Sequence, residues 1–151
     1  TVVKRLPGEA SQGKRIVSEK VSDDVRWLMR QVVVNGTGWK ADTAYYPVGG
    51  KTGTAEKARG RGGYDKNQKL VSFIASFPIH DPKYVLLVMV DEPKGRKDTY
   101  GYATGGWVAA PAVKAIIERS GPALGLEPIG PMHPARQTAI LSIKKRPKEK
   151  R

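Results

Sequence analysis

Three strand-length stretches stand in series in the middle of the chain, and this succession limits the folds open to it more than any other feature. Val48 to Lys57 ("VGGKTGTAEK"), Leu70 to Phe77 ("LVSFIASF") and Tyr84 to Asp91 ("YVLLVMVD") alternate in polarity or are rich in β-branched and aromatic residues, and turn formers bound each. "PIHDPK" between the second and third is a proline-bounded connection of hairpin length, so the series reads as an antiparallel meander. Residues 58–69, "ARGRGGYDKNQK", read as a mobile, solvent-facing loop between the first two strands.

Helical patterns flank the meander. Ser22 is a suitable N-cap, Asp23 and Asp24 put negative charge in a first turn, and Val25, Leu28, Met29, Val32 and Val33 recur on one face, which predicts an amphipathic helix over 23–34. "NGTG" at 35–38 stops it, because Asn and Gly tolerate a left-handed cap. A second helix is expected over 107–119, with Val108, Pro111, Ala112, Ala115 and Ile116 on its packing side, and Gly121-Pro122 ends it. "RIVS" at 15–18 reads as a brief strand, and residues 123–151 read as a loosely held, disordered tail. The fold class expected is α/β of the α+β type: an antiparallel sheet flanked by helices, in one domain's worth of chain (151 residues).

Composition removes several chemistries. Without Cys there are no disulfides, thiolate nucleophiles or Cys-ligated zinc, and His80 and His133 do not form a metal-ligand spacing. No apolar run approaches the ~18 residues needed to cross a bilayer. The opening "TVVKRLPGEA" lacks the apolar core of a secretion signal and an initiating Met, so it reads as a start inside a longer protein. The net charge of +13 calls for an anionic partner: nucleic acid, lipid head groups or carboxylate-bearing peptides. A basic nucleic-acid- or anionic-surface-binding module without catalysis is therefore the alternative reading, but residues 123–151 hold no Phe, Tyr or Trp for stacking, and no nucleic acid is expected.

Gly50-Lys51-Thr52 decides between two anion chemistries. A phosphate loop needs a glycine at position 45, where Tyr45 stands; Pro47 removes a donor from the cradle, and "GTAEKARGRGG" does not open a helix. A serine acyltransferase instead needs an accessible strand that offers Lys, a small gap and hydroxyls to a carboxylate-bearing substrate. "VGGKTGTA" meets those demands, with glycines that let a backbone or substrate lie close. Alternation puts Lys51 and Gly53 on one side and Thr52 and Thr54 on the other.

"GGKTGTAEK", "GYDKNQKLVSFIASFP", "YVLLVMVDEPK" and "TYGYATGGWVAAPAVKAI", in this order, resemble the C-terminal half of the transpeptidase domain of class B penicillin-binding proteins, most like those of cell division in Gram-negative bacteria. The resemblance covers residues 10 to 120. It implies the penicillin-binding-protein/serine β-lactamase-like fold, C-terminal portion only, with 1–122 as a transpeptidase-domain segment. It further implies that Lys51 stabilises anionic groups of the site and that Thr52 and Thr54 bind the carboxylate of a D-Ala-D-Ala stem or a β-lactam across Gly53. The Thr54 backbone N–H would form half of an oxyanion hole. Tyr100 and Tyr102, with Trp107, are candidates for a groove wall, although aromatics before a helix commonly pack. No cofactor or metal is implied. The implied setting is the inner membrane at its periplasmic face, with a lipid-II polymerase and division proteins as partners.

The family's Ser-x-x-Lys nucleophile and Ser-x-Asn motif precede the Lys-Thr-Gly strand. Here Ser-x-Asn does not occur, and Ser11 to Lys14 and Ser142 to Lys145 are formal Ser-x-x-Lys matches of which chance predicts about 0.7. The chain is thus expected to lack the nucleophile and to be inactive alone. Its apolar strands are expected to leave sheet surface open, inviting dimerisation or the missing N-terminal part of the domain.

Overall fold

The computed structural model describes residues 14–60 and 62–130. Helix α1 (Glu19–Val34) leads through a 3-10 turn at Trp39–Ala41 into strands β1 (Gly49–Ala58), β2 (Tyr64–Phe77) and β3 (Tyr84–Asp91). A second 3-10 turn at Lys97–Thr99 precedes helix α2 (Ala109–Ser120). The strands form one antiparallel sheet in the order β1-β2-β3, the expected meander flanked by helices.

Helix α1 begins four residues before the expected start. Ser18, rather than Ser22, is the N-cap, and its hydroxyl accepts from the Val21 amide at 3.3 Å while Glu19 faces the positive end of the helix dipole. Residues 15–18 form no strand and pair with none of the described strands, and Ile16 is exposed. At the other end Asn35 is not left-handed (φ −124°, ψ 0°); its amide and side chain both bond to Gln31, and Gly38 N–H reaches Val32 O at 2.9 Å. A side chain at Gly36 would lie 2.9 Å from that carbonyl, so glycine permits this tight exit. Val33 enters the core, whereas Val25 and Leu28 of the expected apolar face stay about half exposed.

Strand β2 absorbs the second half of the expected 58–69 loop, residues 64–69. Tyr64 pairs with Ala58 and Asp65 with Lys57, beyond a register shift between Glu56 and Lys57, and a short turn with Gly62 and Gly63 at positive φ (90° and 80°) closes the hairpin. Lys57 bridges to Asp91 (2.6 Å) and Glu92 (3.0 Å), and Arg59 to Asp65 (3.5 Å). "YDKNQK" shows no apolar alternation because both faces of this extension are solvated, so cross-strand pairing, not burial, supports it.

Val71 of β2 is fully buried, and Phe73 and Ala75 of the same strand lie fully buried beneath α2, which inserts Ala109, Ala110, Val113 and Ile117. These residues follow the i, i+4 rule, but the stripe is rotated from the expected one: Pro111 and Ile116 are exposed. The opposite sheet face carries Ile74, Val85, Leu87 and Met89 at 42–70% exposure, the open apolar surface expected from the strand sequences. Of the expected loose tail, residues 123–130 are docked, with Ile129 8% exposed and its amide on Tyr45 O at 2.7 Å. The remainder, 131–151, lies outside the described residues.

Candidate active site

β1 is an edge strand, and its register distributes its polar groups. Thr52 pairs with Phe73 and Thr54 with Val71, both buried, so the two hydroxyls share the α2 side of the sheet; Lys51 and Gly53 pair with Ile74 and Ser72 on the open side. The alternation expected of Lys51 to Thr54 is therefore the one observed. Ammonium and hydroxyls flank one free strand edge from its two faces.

The glycines before Lys51 serve a different purpose from the one expected. A Cβ on Gly50 would strike the Phe73 ring, and one on Gly49 the Ile79 side chain, so both are glycine to seat the strand on its core. The close backbone approach occurs at Gly53 instead: a Cβ on Gly105 would meet Gly53 O at 2.7 Å, so residues 104–106 lie directly on the strand.

Around this edge the polar groups converge. Lys51 is exposed and donates to Thr52 O at 2.8 Å, with Thr52 Oγ1 at 3.4 Å. Thr52 Oγ1 lies 3.1 Å from Thr37 Oγ1, and Thr54 Oγ1 accepts weakly from Gly105 N–H at 3.4 Å. Arg30, 5% exposed, braces the strand entrance: it grips both oxygens of Asp42 (2.8 and 3.1 Å) and donates to Val48 O at 2.8 Å. Such a planar fork fixes the carbonyl two residues before Gly50 in place.

Tyr100 and Tyr102 are 80% and 55% exposed and do not touch Lys51 to Thr54 in any described hydrogen bond; both pack on Trp107, Tyr100 edge-on (5.8 Å) and Tyr102 stacked (5.5 Å). Trp107 in turn lines a cleft of about 420 Å³ together with Thr37 and Trp39. Sequence reasoning missed Thr37, Trp39, Lys40 and Gly105. The first three stand in "NGTGWK", where "NGTG" signals a helix stop and nothing local ties these residues to the strand. His80 sits in the β2–β3 turn, where its carbonyl accepts from Arg26. Among the described residues no group of three His, Cys, Asp or Glu could hold a metal ion, and no helix is long and apolar enough to cross a membrane.

The sequence matches the penicillin binding protein transpeptidase domain over residues 6–118. It is 40% identical, over 98% of its length, to the probable peptidoglycan D,D-transpeptidase FtsI of Caulobacter vibrioides, and 44% identical, over 76% of its length, to stage V sporulation protein D of Bacillus subtilis. It spans 25% and 17% of those proteins. Among solved structures, the transpeptidase domain of Burkholderia pseudomallei penicillin-binding protein 3 superposes with a TM-score of 0.67 at 38% identity, covering 79% of this chain and 34% of that one. Penicillin-binding protein 3 of Mycobacterium tuberculosis, solved with ampicillin, gives 0.66 at 28% identity over 78% of this chain and 26% of that one. An edge strand bearing Lys-Thr-Gly-Thr, a meander backed by α2 and these matches lead to one assignment: the chain belongs to the penicillin-binding protein transpeptidase family.

Proposed function

We propose that this chain supplies the carboxylate-binding and oxyanion side of a serine D,D-transpeptidase that cross-links peptidoglycan during cell division. The observation that carries the proposal is the free edge of β1, where Lys51, Thr52 and Thr54 stand together on a strand seated by Gly49 and Gly50. Thr52 and Thr54 donate to the terminal carboxylate of a D-Ala-D-Ala stem or to that of a β-lactam, the ligand class of the ampicillin complex in the Mycobacterium relative. Lys51 adds a positive field that selects for that carboxylate. The Thr54 N–H, held on a hydrogen-bonded strand, meets the oxygen on which charge develops; a preorganised donor of this kind is worth about 3 kcal/mol in the transition state.

The serine comes from a segment outside Gly49–Thr54. Ser11 and Ser142, the two formal candidates in this sequence, both lie outside the described residues. Tyr100 and Tyr102 wall the groove through Trp107. The open face of β2 and β3 associates with the nucleophile-bearing part of the domain or, in its place, with a second copy. The setting is the periplasmic face of the inner membrane, beside a lipid-II polymerase and division proteins.

The test is a chimera in which this chain replaces the matching quarter of the Caulobacter relative. Fluorescent penicillin labels the chimera covalently, Lys51→Ala and Thr54→Pro each lower the acylation rate by at least about tenfold, and the 151-residue chain alone remains unlabelled. A folded chimera that takes no label, or labelling of the isolated chain, overturns the proposal.

A further inference from the structure

Thr37 and Thr52 stand 15 residues apart in sequence, yet their hydroxyl oxygens lie 3.1 Å from each other beside the free edge of β1. Packed backbone holds that distance. Thr37 sits in the loop leaving α1 between two glycines at close approach: a Cβ on Gly36 would meet Val32 O at 2.9 Å, and one on Gly38 the Phe73 ring at 2.9 Å. From the other side, a Cβ on Gly106 would press on Thr37 O at 2.4 Å and stand 3.7 Å from Thr52 Cγ2. Thr52 thus sets its methyl toward the loop entering α2 and its oxygen toward Thr37. Among the described residues Thr52 is the hydrogen-bond partner of the Thr37 hydroxyl, and Thr37 is itself exposed.

A hydroxyl carries one proton and two lone pairs. The Lys51 ammonium, which can only donate, approaches one lone pair of Thr52 Oγ1 at 3.4 Å. Between Thr37 and Thr52 either hydroxyl can be the donor. A carboxylate settles the direction because it only accepts: once Thr52 gives its proton to the ligand, Thr37 gives its own to Thr52. Both lone pairs of Thr52 then face donors, and its proton has one direction left, outward from the strand. Thr54 shows the same arrangement, since its Oγ1 accepts from Gly105 N–H at 3.4 Å. Hydrogen bonds linked in this way polarise one another, so a hydroxyl that accepts is a stronger donor.

We infer that Thr37 is a positioning residue for the substrate carboxylate: its hydroxyl donates to Thr52 and thereby commits the Thr52 proton to the ligand. The inference rests on the function proposed above, which gives the carboxylate to Thr52 but leaves the Thr52 hydroxyl free to turn. Thr37 acts through Thr52 and not on the reacting carbonyl. The link from Thr37 through Thr52 to the carboxylate is therefore as strong before attack as during it, and its loss weakens binding while sparing the limiting rate of acylation.

The chimera tests this with a penicillin whose acylation rate is followed to saturation. Thr37→Val keeps the branched shape and removes the hydroxyl; the penicillin concentration for half-maximal acylation rises about fivefold, while the limiting rate stays within about twofold of the parent. Thr37→Ser returns the hydroxyl and recovers the parent concentration to within about twofold. The methyl ester of the same penicillin lacks the charged acceptor, and its rates with the parent and with Thr37→Val agree within about twofold. In a Thr52→Val background Thr37→Val adds no further loss, because the oxygen through which it acts is gone. A Thr37→Val chimera with the parent's half-maximal concentration, a loss that falls on the limiting rate, no recovery in Thr37→Ser, or equal losses for the penicillin and its ester overturns the inference and leaves the proposed function standing. A parent chimera that takes no penicillin overturns the proposed function, and the positioning role falls with it.

Discussion

Replacing Asp42 with alanine asks how firmly buried Arg30 anchors the entrance of the Lys-Thr-Gly strand. The Arg30 side chain is 6% exposed and that of Asp42 31%. The pair shares two hydrogen bonds of 2.8 and 3.1 Å, and the third bond, to Val48 O, ties both to β1. Breaking a fully buried pair costs about 3–5 kcal/mol, because the surviving charge stays out of water. Asp42 is partly solvated, which screens the interaction, and about 2 kcal/mol is expected for Asp42→Ala. With a urea dependence of about 2 kcal/mol per molar, the unfolding midpoint of the chain falls by about 1 M. The double variant Arg30→Met/Asp42→Ala distinguishes charge burial from lost packing. Methionine fills similar space without a charge, so the double variant recovers about 1 kcal/mol over the single one. Urea titrations followed by circular dichroism measure both. A single variant within about 0.5 kcal/mol of the parent, or a double variant less stable than the single, refutes the argument.

Gly105→Ala drives a methyl group into backbone oxygens of Gly53 and Ser72, which lowers stability by about 1–3 kcal/mol; full stability measured in the same titration would contradict the close approach. Titration limits follow from the charged pairs. The Asp65 carboxyl is held below its ordinary 3.8, first by the Asn67 amide and then by Arg59, and Lys83 does the same for Asp81. A lowered folded-state pKa contributes stability above the unfolded value and loses it as pH falls through the folded one, so the urea midpoint declines below about pH 4, less so in Asp65→Asn. Lys57 is raised above its ordinary 10.5, first by Asp91 and then by Glu92; its contribution is present below that value and lost as pH climbs through the folded one, and Asp91→Asn flattens this alkaline limb in the same measurement. Leu87→Glu places a charge at the centre of the open sheet face and reduces self-association of the isolated chain in sedimentation velocity; unchanged association would move the contact elsewhere.

The meander was legible because each of its strands joins a period-2 pattern or a buried apolar run to turn residues, and the three segments lie close in sequence. Helix faces were less so. For α2, two neighbouring stripes, 109/113/117 and 108/112/116, are both mostly apolar, and only the position of Phe73 decides which of them is buried. For α1, Val25 and Leu28 belong to a real apolar stripe that nothing among the described residues covers, so periodicity reported amphipathicity correctly and burial wrongly. The β1–β2 extension escaped notice because its pairing relies on charges across the strands. In the site, Lys51, Thr52 and Thr54 could be named from the motif, since strand alternation alone places them. Thr37, Lys40 and Gly105 could not, because their relation to that strand is made by tertiary folding across 15 residues for Thr37 and 51 for Gly105.

The pairing reset at Glu56/Lys57 has a consequence for how this part of the molecule tolerates change. Glu56 faces Lys69 while Lys57 already faces Asp65, so residues 66–68 loop out of the ladder and the far hairpin keeps its own alignment. Lengthening or trimming the tip is absorbed at this joint, and the eight pairs from Gly49 to Glu56 stay in step. The far hairpin and the Lys51 to Thr54 segment are thus mechanically separate parts of one ladder.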